Sequence, residues 1–431
     1  MGVPHIVIAG GGYVGMYTAL DLQKKLHRGE ARVTVIDPRS TMTYQPFLPE
    51  AAAGSLEPRH VVVPLRRTLK GCDVLTARVV GIDHQRRTVT VDPCAGETYE
   101  LRYDELVVAL GSVARTLPIP GLKEVGMGFK QIEEAISLRN HVLDRLDVAT
   151  STVDAAVRQQ ALTFVFVGGG YAGVEALAEI EDMARYATRY YETIAADDLR
   201  FVLVEATGRI LPEVGEDMGR YTVARLRERG IEVKLDTLLK SATDHHIVLS
   251  DGDEFDADTL VWTAGVKANP VLATSDLPLD DKGRLKALAN LTVEGVDHAW
   301  TAGDNGAVPD LANPGRLCSP SAQHAVRQAH VLAANLVRSL RGEPLQDYRH
   351  KHVGSVASLG LHQGVAQVYG IKLKGLPAWF MHRTYHLSRM PTLSKKFRVV
   401  ADWTLALFFR REVVSLGSLH TPRDDFDRAN T

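Results

Sequence analysis

Two glycine-rich turns are the residues of this chain whose types and spacing most clearly indicate a chemical function. Each reads Gly-Gly-Gly-Tyr-x-Gly, follows a short apolar run and opens an amphipathic stretch, which predicts a strand, a turn and a helix. In that context the first and third motif glycines allow a tight turn and close packing, while the middle one leaves space for a pyrophosphate at the helix N-terminus. The motif glycines are Gly10, Gly12 and Gly15 in the first copy and Gly168, Gly170 and Gly173 in the second.

An acidic residue ends the next apolar run after each turn. Asp37 follows the first motif, and Glu205 follows the second after a longer crossover. A carboxylate at this place accepts hydrogen bonds from ribose hydroxyls in dinucleotide sites, and a solvated strand-end carboxylate is the alternative. Glu205 would also repel the 2′-phosphate of NADPH, although Arg209 nearby would weaken that effect. The second site is therefore predicted to prefer NADH.

A second pair of matched segments indicates two copies of one nucleotide-binding domain. The segment 104–107, Asp-Glu-Leu-Val, precedes Gly111, and the segment 258–261, Asp-Thr-Leu-Val, precedes Gly265 at the same distance. One pair of matched segments would be weak evidence for a repeat. Two pairs at nearly the same offset along the chain are strong evidence for one. Because apolar runs alternate with helix-like stretches, the elements between these landmarks are predicted to form parallel sheets with helical crossovers.

A third landmark follows both repeats. An apolar run ends in Ala-Gly-Asp at residues 302–304. The tripeptide alone is common, but at this position it is similar to the second fingerprint of flavin-binding proteins. There Asp304 would bond the ribityl chain of the flavin, and a following N–H group would meet the pyrophosphate.

Composition and charge exclude several other classes of protein. The chain has 431 residues, 45% of them hydrophobic and 24% charged, which is ordinary globular usage and predicts two or three domains. Its 50 Lys+Arg and 52 Asp+Glu give a net charge of −2, without the basic excess of a nucleic-acid binder. Three widely spaced cysteines make neither a disulfide framework nor a Cys-x-x-Cys motif, and the paired histidines lack ligand partners. No metal is predicted.

The ordered motifs resemble those of flavoproteins that bind two dinucleotides in a glutathione-reductase-like fold. More closely, the chain is similar to the type II NADH dehydrogenases, the single-subunit, non-pumping NADH:quinone oxidoreductases. The similarity covers nearly the whole chain. The segments that carry it include Tyr44-Gln45-Pro46-Phe47-Leu48, Gly173-Val174-Glu175, Val204-Glu205-Ala206, Ala322-Gln323-His324-Ala325 and Ala401-Asp402-Trp403.

The resemblance implies an α/β fold with two Rossmann-like dinucleotide-binding domains and a C-terminal membrane-associating unit. An FAD-binding domain is expected at residues 1–115 and 278–345, an NAD(H)-binding domain at 116–277, and the C-terminal unit at 346–431. FAD, held without a covalent bond, and NADH are the expected cofactors. The residues expected to hold FAD are Gly10, Gly12, Gly15, Asp37, Gln45, Pro46, Gly111, Gly303 and Asp304, and those expected to hold NADH are Gly168, Gly170, Gly173, Glu205 and Gly265.

Three residues are expected to act in catalysis. Glu175 would lie near the nicotinamide or the flavin and move protons, and a carboxylate that only stabilises the helix dipole is the alternative. Gln323 is expected to line the quinone tunnel. The family usually has a second glutamine four residues later, but Arg327 stands there and Gln328 follows. A buried Arg327 would pair with a carboxylate or meet an anionic or strongly hydrogen-bonding acceptor, whereas an exposed one would point to solvent.

The segment 379–416 interleaves aromatic and basic residues on a short apolar stretch. That composition suits the interface of an anionic membrane, and a helix packed on the protein or a homodimer interface are the alternatives. No apolar stretch approaches the about 20 residues that a membrane span requires. The protein is therefore expected to be peripheral on the cytoplasmic side of a membrane, with the cytoplasm as the alternative location.

These features predict an FAD-dependent oxidoreductase that passes electrons from NADH to a quinone or quinone-like acceptor. Two other functions stay open. One is a soluble NAD(P)H-dependent flavoprotein reductase that acts on a biosynthetic quinone or an electron-carrier protein. The other is a flavin-bound sensor of NADH without useful turnover. Nucleic acid is not an expected partner.

Overall fold

Two units, each with its own sheet, make up the chain. The computed structural model describes residues 2–350 and 354–415. The first unit comprises the described residues of Met1–Thr43, Val62–Arg115 and Val266–His352, and the second comprises those of Tyr44–Val61, Thr116–Gly265 and Val353–Thr431.

The first unit contains a seven-stranded sheet. Its central strands are short apolar runs such as His-Ile-Val-Ile-Ala, as expected where both faces of a parallel sheet are covered. The first five strands run parallel and the last three pair antiparallel. From one edge to the other, the strands are Ala299–Thr301, Glu105–Val108, His5–Ala9, Arg32–Asp37, Asp73–Asp83, Thr88–Pro93 and Tyr99–Arg102.

Helices and short strand pairs complete the first unit. The first motif helix, Tyr13–Lys25, packs against Ala322–Leu340, whose N-cap Ser321 accepts a hydrogen bond from the N–H of His324. The other helical segments are Leu65–Thr68 and the 3₁₀ turns Pro270–Thr274 and Gly303–Asn305. The strand pairs are Thr41–Thr43 with Val62–Pro64, Ser112–Ala114 with Val266–Ala268, and Leu285–Lys286 with Gly306–Ala307.

The second unit contains a five-stranded parallel sheet. Its core includes Val165, Val202 and Leu260, which alternate with residues that face the opposite side of the sheet. The strands, in order, are Gly126–Met127, Thr259–Trp262, Thr163–Val167, Arg200–Val204 and Glu232–Lys234.

Two antiparallel sheets and eight helices complete the described part of the second unit. The sheets are Leu239–Ser241 with His246–Leu249 and Glu254–Asp256, and Gly354–Ser358 with Gly364–Val368 and Ile371–Lys374. The 3₁₀ turns are Gln45–Phe47, Pro58–His60, Thr188–Tyr190, Ala196–Asp198 and Thr243–His245. The α-helices are Leu48–Ala52, Leu122–Val125, Ile132–Ser151, Ala155–Ala161, the second motif helix Tyr171–Ala187, Glu216–Glu228, Leu376–Arg389 and Leu393–Leu405.

The division of the chain into two units differs from the predicted domain boundaries at three segments. Residues 44–61 belong to the second unit, although the FAD-binding domain was expected to include them. Residues 266–277 belong to the first unit, because Val266–Ala268 pairs with Ser112–Ala114 there. The described C-terminal residues 354–415 join the second unit rather than forming a third.

None of the helices in the described residues has both the length and the apolar character needed to cross a membrane.

Candidate functional site

The first glycine-rich turn leads into the first motif helix. Gly10 has a φ of +111°, and a Cβ placed there would lie 2.2 Å from the carbonyl oxygen of Ala109. A Cβ at Gly15 would lie 1.8 Å from the carbonyl oxygen of Gly10. At Gly12, apart from its own backbone, its chain neighbours and the helix backbone that follows, no atom of the described residues lies within 4 Å of the Cβ position. The fold therefore requires glycine at the outer two positions, whereas the middle position is open for a ligand.

Asp37 holds its carboxylate against this turn. Its Oδ2 accepts a hydrogen bond from the N–H of Gly11 at 2.7 Å, and its Oδ1 accepts one from the N–H of Arg39 at 2.8 Å. Burial raises the pKa of the carboxyl, and the two N–H donors counteract that rise. The predicted ribose-binding acid thus stands at the end of its strand and beside the first turn.

The Ala-Gly-Asp segment contacts the first motif helix within the same unit. Gly303 has a φ of +71°, and a Cβ there would lie 2.7 Å from Cγ2 of Val14. The Oδ2 atom of Asp304 accepts a hydrogen bond from Oγ of Ser112 at 2.6 Å. The predicted second flavin fingerprint therefore lies next to the first turn.

Two buried amides fix this region, and sequence analysis did not single either of them out for that role. The N–H of Gly111 donates to Oδ1 of Asn305 at 2.9 Å, and the N–H of Gly303 donates to Oε1 of Gln328 at 2.7 Å. Both amide side chains belong to residues that are 1% exposed. Asn305 directly follows the fingerprint and could have been suspected from that position, whereas Gln328 lies one residue beyond the place that the family pattern predicts.

The second glycine-rich turn repeats the geometry of the first. Gly168 has a φ of +116°, and its Cβ would lie 2.7 Å from Oγ1 of Thr263. A Cβ at Gly173 would lie 1.9 Å from the carbonyl oxygen of Gly168, while that of Gly170 would meet no atom of a more distant described residue within 4 Å. Gly265 has a φ of +90° in the loop after Thr263. The middle glycine is again the open position.

Glu205 also repeats the geometry of its counterpart. Its Oε2 accepts a hydrogen bond from the N–H of Gly169 at 2.6 Å. Its Oε1 accepts hydrogen bonds from the N–H and the hydroxyl of Thr207, both at 2.8 Å. The second unit therefore places an acid against its turn, as the sequence pattern predicts for a ribose-binding residue.

A cavity of about 790 Å³ lies beside the loop that follows Glu205. Its lining combines the apolar residues Ile210 and Val223 with three arginines, Arg209, Arg220 and Arg227. Sequence analysis considered Arg209 alone as a cation near the ribose-binding acid. The fold adds two more at this cavity, because the helix Glu216–Glu228 carries them there.

Gln45 and Pro46 lie in the second unit, apart from the other residues expected to hold FAD. They form the 3₁₀ turn Gln45–Phe47, and Nε2 of Gln45 donates to the carbonyl oxygen of Lys130 at 3.2 Å. Each unit thus gathers its own subset of the predicted residues. The role of Gln45 and Pro46 in binding FAD stays a prediction.

Glu175 is buried in the second motif helix, with 7% of the residue exposed. Its Oε1 accepts a hydrogen bond from the N–H of Ser358 at 2.8 Å and lies 3.2 Å from Nε2 of His382. A carboxylate that only interacts with the helix dipole would need neither neighbour. The sequence did not indicate these two partners, which come from a distant part of the chain.

Gln323 and Arg327 lie in the first turns of the helix Ala322–Leu340. The Nη1 atom of Arg327 donates to the carbonyl oxygen of Gln323 at 3.0 Å, and Oε1 of Gln323 lies 3.3 Å from Nε2 of His350. Arg327 is partly exposed. The argument that a buried guanidinium requires a carboxylate therefore does not apply to it, and its guanidinium instead holds the main chain of the preceding turn.

Replacing Arg327 with glutamine is expected to change the relative kcat/KM values among quinones by about fivefold, or about 1 kcal/mol. The substitution removes a cation and its hydrogen bond to the residue expected to line the quinone tunnel. Reduction of the flavin by NADH, followed by stopped flow, should stay unchanged. Arg338→Gln is the control, because that arginine donates to the carbonyl oxygen of Pro344 near the other end of the same helix. Equal acceptor preferences in both variants would contradict a role for Arg327.

Two turns of one geometry, each with an acid bonded to its backbone, define a protein with two dinucleotide-binding sites. The model of the pyridine nucleotide-disulphide oxidoreductase family matches residues 4–329. The demethylphylloquinone reductase NdbB of Synechocystis is 30% identical over 407 residues, which cover 93% of this chain and 95% of that protein. The type II NADH:quinone oxidoreductase of Staphylococcus epidermidis is 30% identical over 384 residues, which cover 88% and 93%.

A solved structure supports the same fold. NDH2 from Plasmodium falciparum in complex with NADH matches with a TM-score of 0.88 at 19% identity, over 96% of this chain and 100% of that one. The chain belongs to the pyridine nucleotide-disulphide oxidoreductase family, within its group of type II NADH:quinone oxidoreductases. The predicted resemblance and the predicted α/β fold with two Rossmann-like domains are confirmed.

Proposed function

We propose that this protein is an FAD-dependent oxidoreductase that transfers electrons from NADH to a quinone or quinone-like acceptor without pumping protons. The observation that carries the proposal is the shared geometry of the two turns. Each turn has free space beside its middle glycine, and in each a backbone N–H donates a hydrogen bond to the acid at the end of the next strand. Relatives that align with most of the chain are named type II NADH:quinone oxidoreductases.

The first unit offers the groups that would hold FAD. The backbone around Gly12 would face the pyrophosphate, Asp37 would accept from ribose hydroxyls, and Asp304 would bond the ribityl chain. The bound flavin would supply the ability to take a hydride and to pass on two electrons. The residues themselves bind and orient, because none of them forms a covalent bond to the cofactor in this proposal.

The second unit offers the corresponding groups for NADH. The backbone around Gly170 would face its pyrophosphate, and Glu205 would accept from its adenosine ribose. In the overall reaction, NADH, one proton and a quinone give NAD⁺ and a quinol. Glu175 would hold the proton that this reaction consumes, and Gln323 would line the acceptor site.

The proposal is tested on the purified protein. We expect a yellow protein from which acid precipitation releases about one FAD per chain, and NADH oxidation that requires an added short-chain quinone. A folded, colourless protein that FAD cannot reconstitute would contradict the proposal. NADH binding without quinone-dependent turnover would favour the sensor instead.

A second candidate keeps the chemistry but changes the acceptor. The relative from Synechocystis is a demethylphylloquinone reductase, so its acceptor is a quinone that lacks a methyl group. We infer that a biosynthetic quinone is the alternative acceptor for this chain. Comparing kcat/KM for methylated and demethylated naphthoquinones separates the two candidates, because only the second predicts a preference for the demethylated ring.

Glu205→Gln is expected to reduce the preference for NADH over NADPH by about tenfold, or about 1.4 kcal/mol. The amide keeps one acceptor oxygen but loses the negative charge that would repel a 2′-phosphate. The measurement is the ratio of kcat/KM for the two donors, with Glu216→Gln as the control. Glu216 also lines the neighbouring cavity, but its carboxylate accepts a hydrogen bond from Arg220. Equal constants for NADH and NADPH in the unaltered protein would show that the cations of that cavity outweigh Glu205.

We also propose that the C-terminal helices bind a membrane surface peripherally, on the cytoplasmic side. The helix Leu393–Leu405 buries only Val399, and Phe397, Phe408 and Phe409 are 73%, 78% and 69% exposed. Basic residues flank these aromatic residues along the chain, with Lys396 and Arg398 on either side of Phe397 and Arg410 directly after Phe409. An anionic lipid surface offers partners for both kinds of side chain. A homodimer interface is the alternative occupant of this surface.

Replacing Phe408 and Phe409 with serine is expected to weaken binding to anionic vesicles at least tenfold. Each buried phenylalanine ring contributes about 1.5–3 kcal/mol when it leaves water. The measurement is co-sedimentation with vesicles that contain phosphatidylglycerol, and Val153→Ser, at a fully exposed residue elsewhere in the same unit, is the control. The homodimer would be the correct alternative if the unaltered protein did not bind vesicles but formed a dimer, and if the two serine substitutions made that dimer dissociate.

A further inference from the structure

A second cavity lies in the first unit, at the end of the seven-stranded sheet where the strand His5–Ala9 begins. Its volume is about 380 Å³. The first glycine-rich turn follows the other end of that strand, and five residues at about 3.3 Å each place Gly10 about 17 Å from His5. The cavity is therefore separate from the turn expected to hold FAD. We name it the arginine pocket, and its lining consists of His5, Arg86, Arg87, Arg102, Tyr103 and Asp104.

Two of the three arginines have no carboxylate partner in the described part of the chain. Arg86 donates two hydrogen bonds to the carboxylate of Glu100, at 2.9 Å and 3.0 Å, and its Nη1 lies 4.0 Å from Oδ2 of Asp83. The guanidinium groups of Arg87 and Arg102 take part in none of the ion pairs between described residues. Both residues are exposed to water. Their N–H groups therefore stay available to an anion, in the planar arrangement that binds a carboxylate or a phosphate with two parallel hydrogen bonds.

The backbone of Arg87 has a conformation that arginine rarely adopts. Arg87 ends the turn between the strands Asp73–Asp83 and Thr88–Pro93, where its N–H donates to the carbonyl oxygen of His84 at 3.1 Å. Its φ is +53°, in the left-handed region that favours glycine or asparagine. Hairpin turns commonly place glycine at such a position. An arginine there indicates that its side chain has a role that glycine could not fulfil.

Hydrogen bonds hold the walls of the arginine pocket in place before a ligand arrives. The imidazole of His5 lies 2.9 Å from the carbonyl oxygen of Arg102 through Nδ1 and 2.8 Å from Oγ1 of Thr34 through Nε2. The N–H of His5 donates to Oδ2 of Asp104 at 2.7 Å, so the carboxylate of the lining is already engaged. Because these walls are preorganised, binding a ligand orders few additional groups.

The size and the chemistry of the arginine pocket indicate the class of ligand. A volume of about 380 Å³ is at the lower end of the range for small-molecule sites. A phosphoryl group at neutral pH carries nearly two negative charges on three acceptor oxygens, so it can engage two guanidinium groups at once. A single carboxylate carries one charge on two oxygens and would leave the second guanidinium group without a partner.

We propose that the arginine pocket binds a small phosphorylated molecule, with Arg87 and Arg102 as the residues that hold its phosphoryl group. Inorganic phosphate and a phosphate monoester present the same oxyanion, and the experiment below distinguishes them. Because the pocket is separate from the first turn, its ligand binds together with FAD and does not displace it. The proposal is independent of the proposed function, because none of the lining residues is expected to hold FAD, NADH or the acceptor.

The first test measures binding to the FAD-loaded protein by isothermal titration calorimetry at constant ionic strength. The probes are inorganic phosphate and glycerol 3-phosphate, and succinate is the comparison, because its two charges lie on separate groups. We expect one site per chain and at least tenfold tighter binding of a phosphoryl probe than of succinate. The tighter of the two phosphoryl probes identifies the ligand as the free ion or the monoester. A protein that binds neither, or that binds succinate equally well, would overturn the proposal.

Variants assign the binding to the arginine pocket. Arg87→Gln and Arg102→Gln are each expected to weaken binding of the phosphoryl probe at least tenfold, because each removes a charged group with paired donors. Arg78→Gln is the matched control, and it should bind the probe unchanged. Arg78 is exposed on the strand Asp73–Asp83, in the same sheet and away from the turn that carries Arg87. Unchanged binding in either of the first two variants would place the phosphate elsewhere and overturn the proposal.

A further variant separates binding from folding. Arg87→Gly removes the side chain but suits the left-handed backbone, so it should unfold at no lower a temperature than the unaltered protein in phosphate-free buffer, while it loses phosphate binding. A lower unfolding temperature would show that Arg87 stabilises the turn, and it would contradict the argument from its backbone. The flavin content should stay unchanged in every variant. A protein without flavin or without NADH oxidation would disprove the proposed function, whereas the calorimetry still reports on the pocket.

Discussion

Gly170→Ala is expected to leave the chain folded and yellow but to raise the KM for NADH about 100-fold, or about 2.8 kcal/mol. Within the described part of the chain, a Cβ at this position meets no atom of a non-neighbouring residue within 4 Å, and the backbone has a φ of −74°, so alanine fits without strain. The methyl group would instead occupy the space that the pyrophosphate needs next to the helix N-terminus. Steady-state kinetics with NADH, together with the flavin content, measure the effect.

Gly12→Ala is the matched variant in the first unit, and it should weaken the binding of FAD rather than the binding of NADH. Its Cβ also meets no atom of a non-neighbouring residue within 4 Å among residues 2–350 and 354–415. We expect weakened FAD retention with an unchanged fold, and NADH kinetics that recover when FAD is added in excess. If alanine at 170 lowered FAD content, or alanine at 12 raised only the KM for NADH, the assignment of the two turns would be wrong.

The third glycines are unsuitable for this comparison. A Cβ at Gly15 or Gly173 would lie 1.8 Å or 1.9 Å from a carbonyl oxygen of the same turn. Alanine at either position must therefore displace the helix from its strand. Loss of cofactor in those variants would report on folding and not on the ligand.

Glu179→Gln is expected to stabilise the protein above pH 7 by on the order of 2–3 kcal/mol and to have little effect at pH 5. Because the pKa of Glu179 is raised to about 7 in the folded chain, the folded state binds more protons than the unfolded state between the unfolded pKa and pH 7. Stability is therefore lost as the pH rises through that interval. The amide keeps an acceptor for Ser358 but removes the charge. Thermal unfolding at several pH values, with FAD held at one concentration, measures the difference.

Glu181→Gln is the control for this prediction on the same helix. Glu181 is equally buried, but it accepts from both Arg185 and Arg229. Its replacement leaves two guanidinium groups without their carboxylate, so it should destabilise the protein at pH 5 and at pH 8 alike. A Glu179→Gln variant that behaved in the same way would show that Glu179 is ionised and paired across this range.

The geometry of the two glycine-rich turns and their acids was predictable from sequence because its signals are local. A tight turn with a φ above +100° at Gly10 or Gly168 admits glycine almost exclusively. The residue type therefore indicates the backbone geometry directly. The acids Asp37 and Glu205 end the adjacent strand, and parallel pairing with the motif strand brings that end to the turn. Strand, turn and acid are thus fixed by short-range pattern and sheet register.

The surroundings of Glu175 were not predictable in this way. Ser358 and His382 follow it by about half the length of the chain, and neither lies in a motif with a spacing of its own. They meet Glu175 only because the antiparallel sheet and the helix Leu376–Arg389 pack within the second unit. Periodicity identifies the helix, but it does not indicate which buried histidine will face which carboxylate.

The register of the helix Ala322–Leu340 explains the apparent departure from the family pattern. Residues 327 and 328 differ by about 100° around the helix axis. That rotation buries Gln328 against the N–H of Gly303 and leaves Arg327 partly exposed beside Gln323. The sequence showed a glutamine replaced by a cation. The structure shows a buried glutamine at the next position, which accepts a hydrogen bond from the N–H of Gly303 in the predicted flavin fingerprint.

The two half-reactions of the holoprotein test the central claim most directly. The purified protein is mixed without oxygen with one equivalent of NADH and then with a short-chain quinone, while the flavin absorbance, NAD⁺ and quinol are measured. The account predicts that NADH bleaches the flavin, that the quinone restores it, and that one quinol forms per NADH consumed. A flavin that stays oxidised with NADH, or stays reduced when the quinone is added, would contradict it.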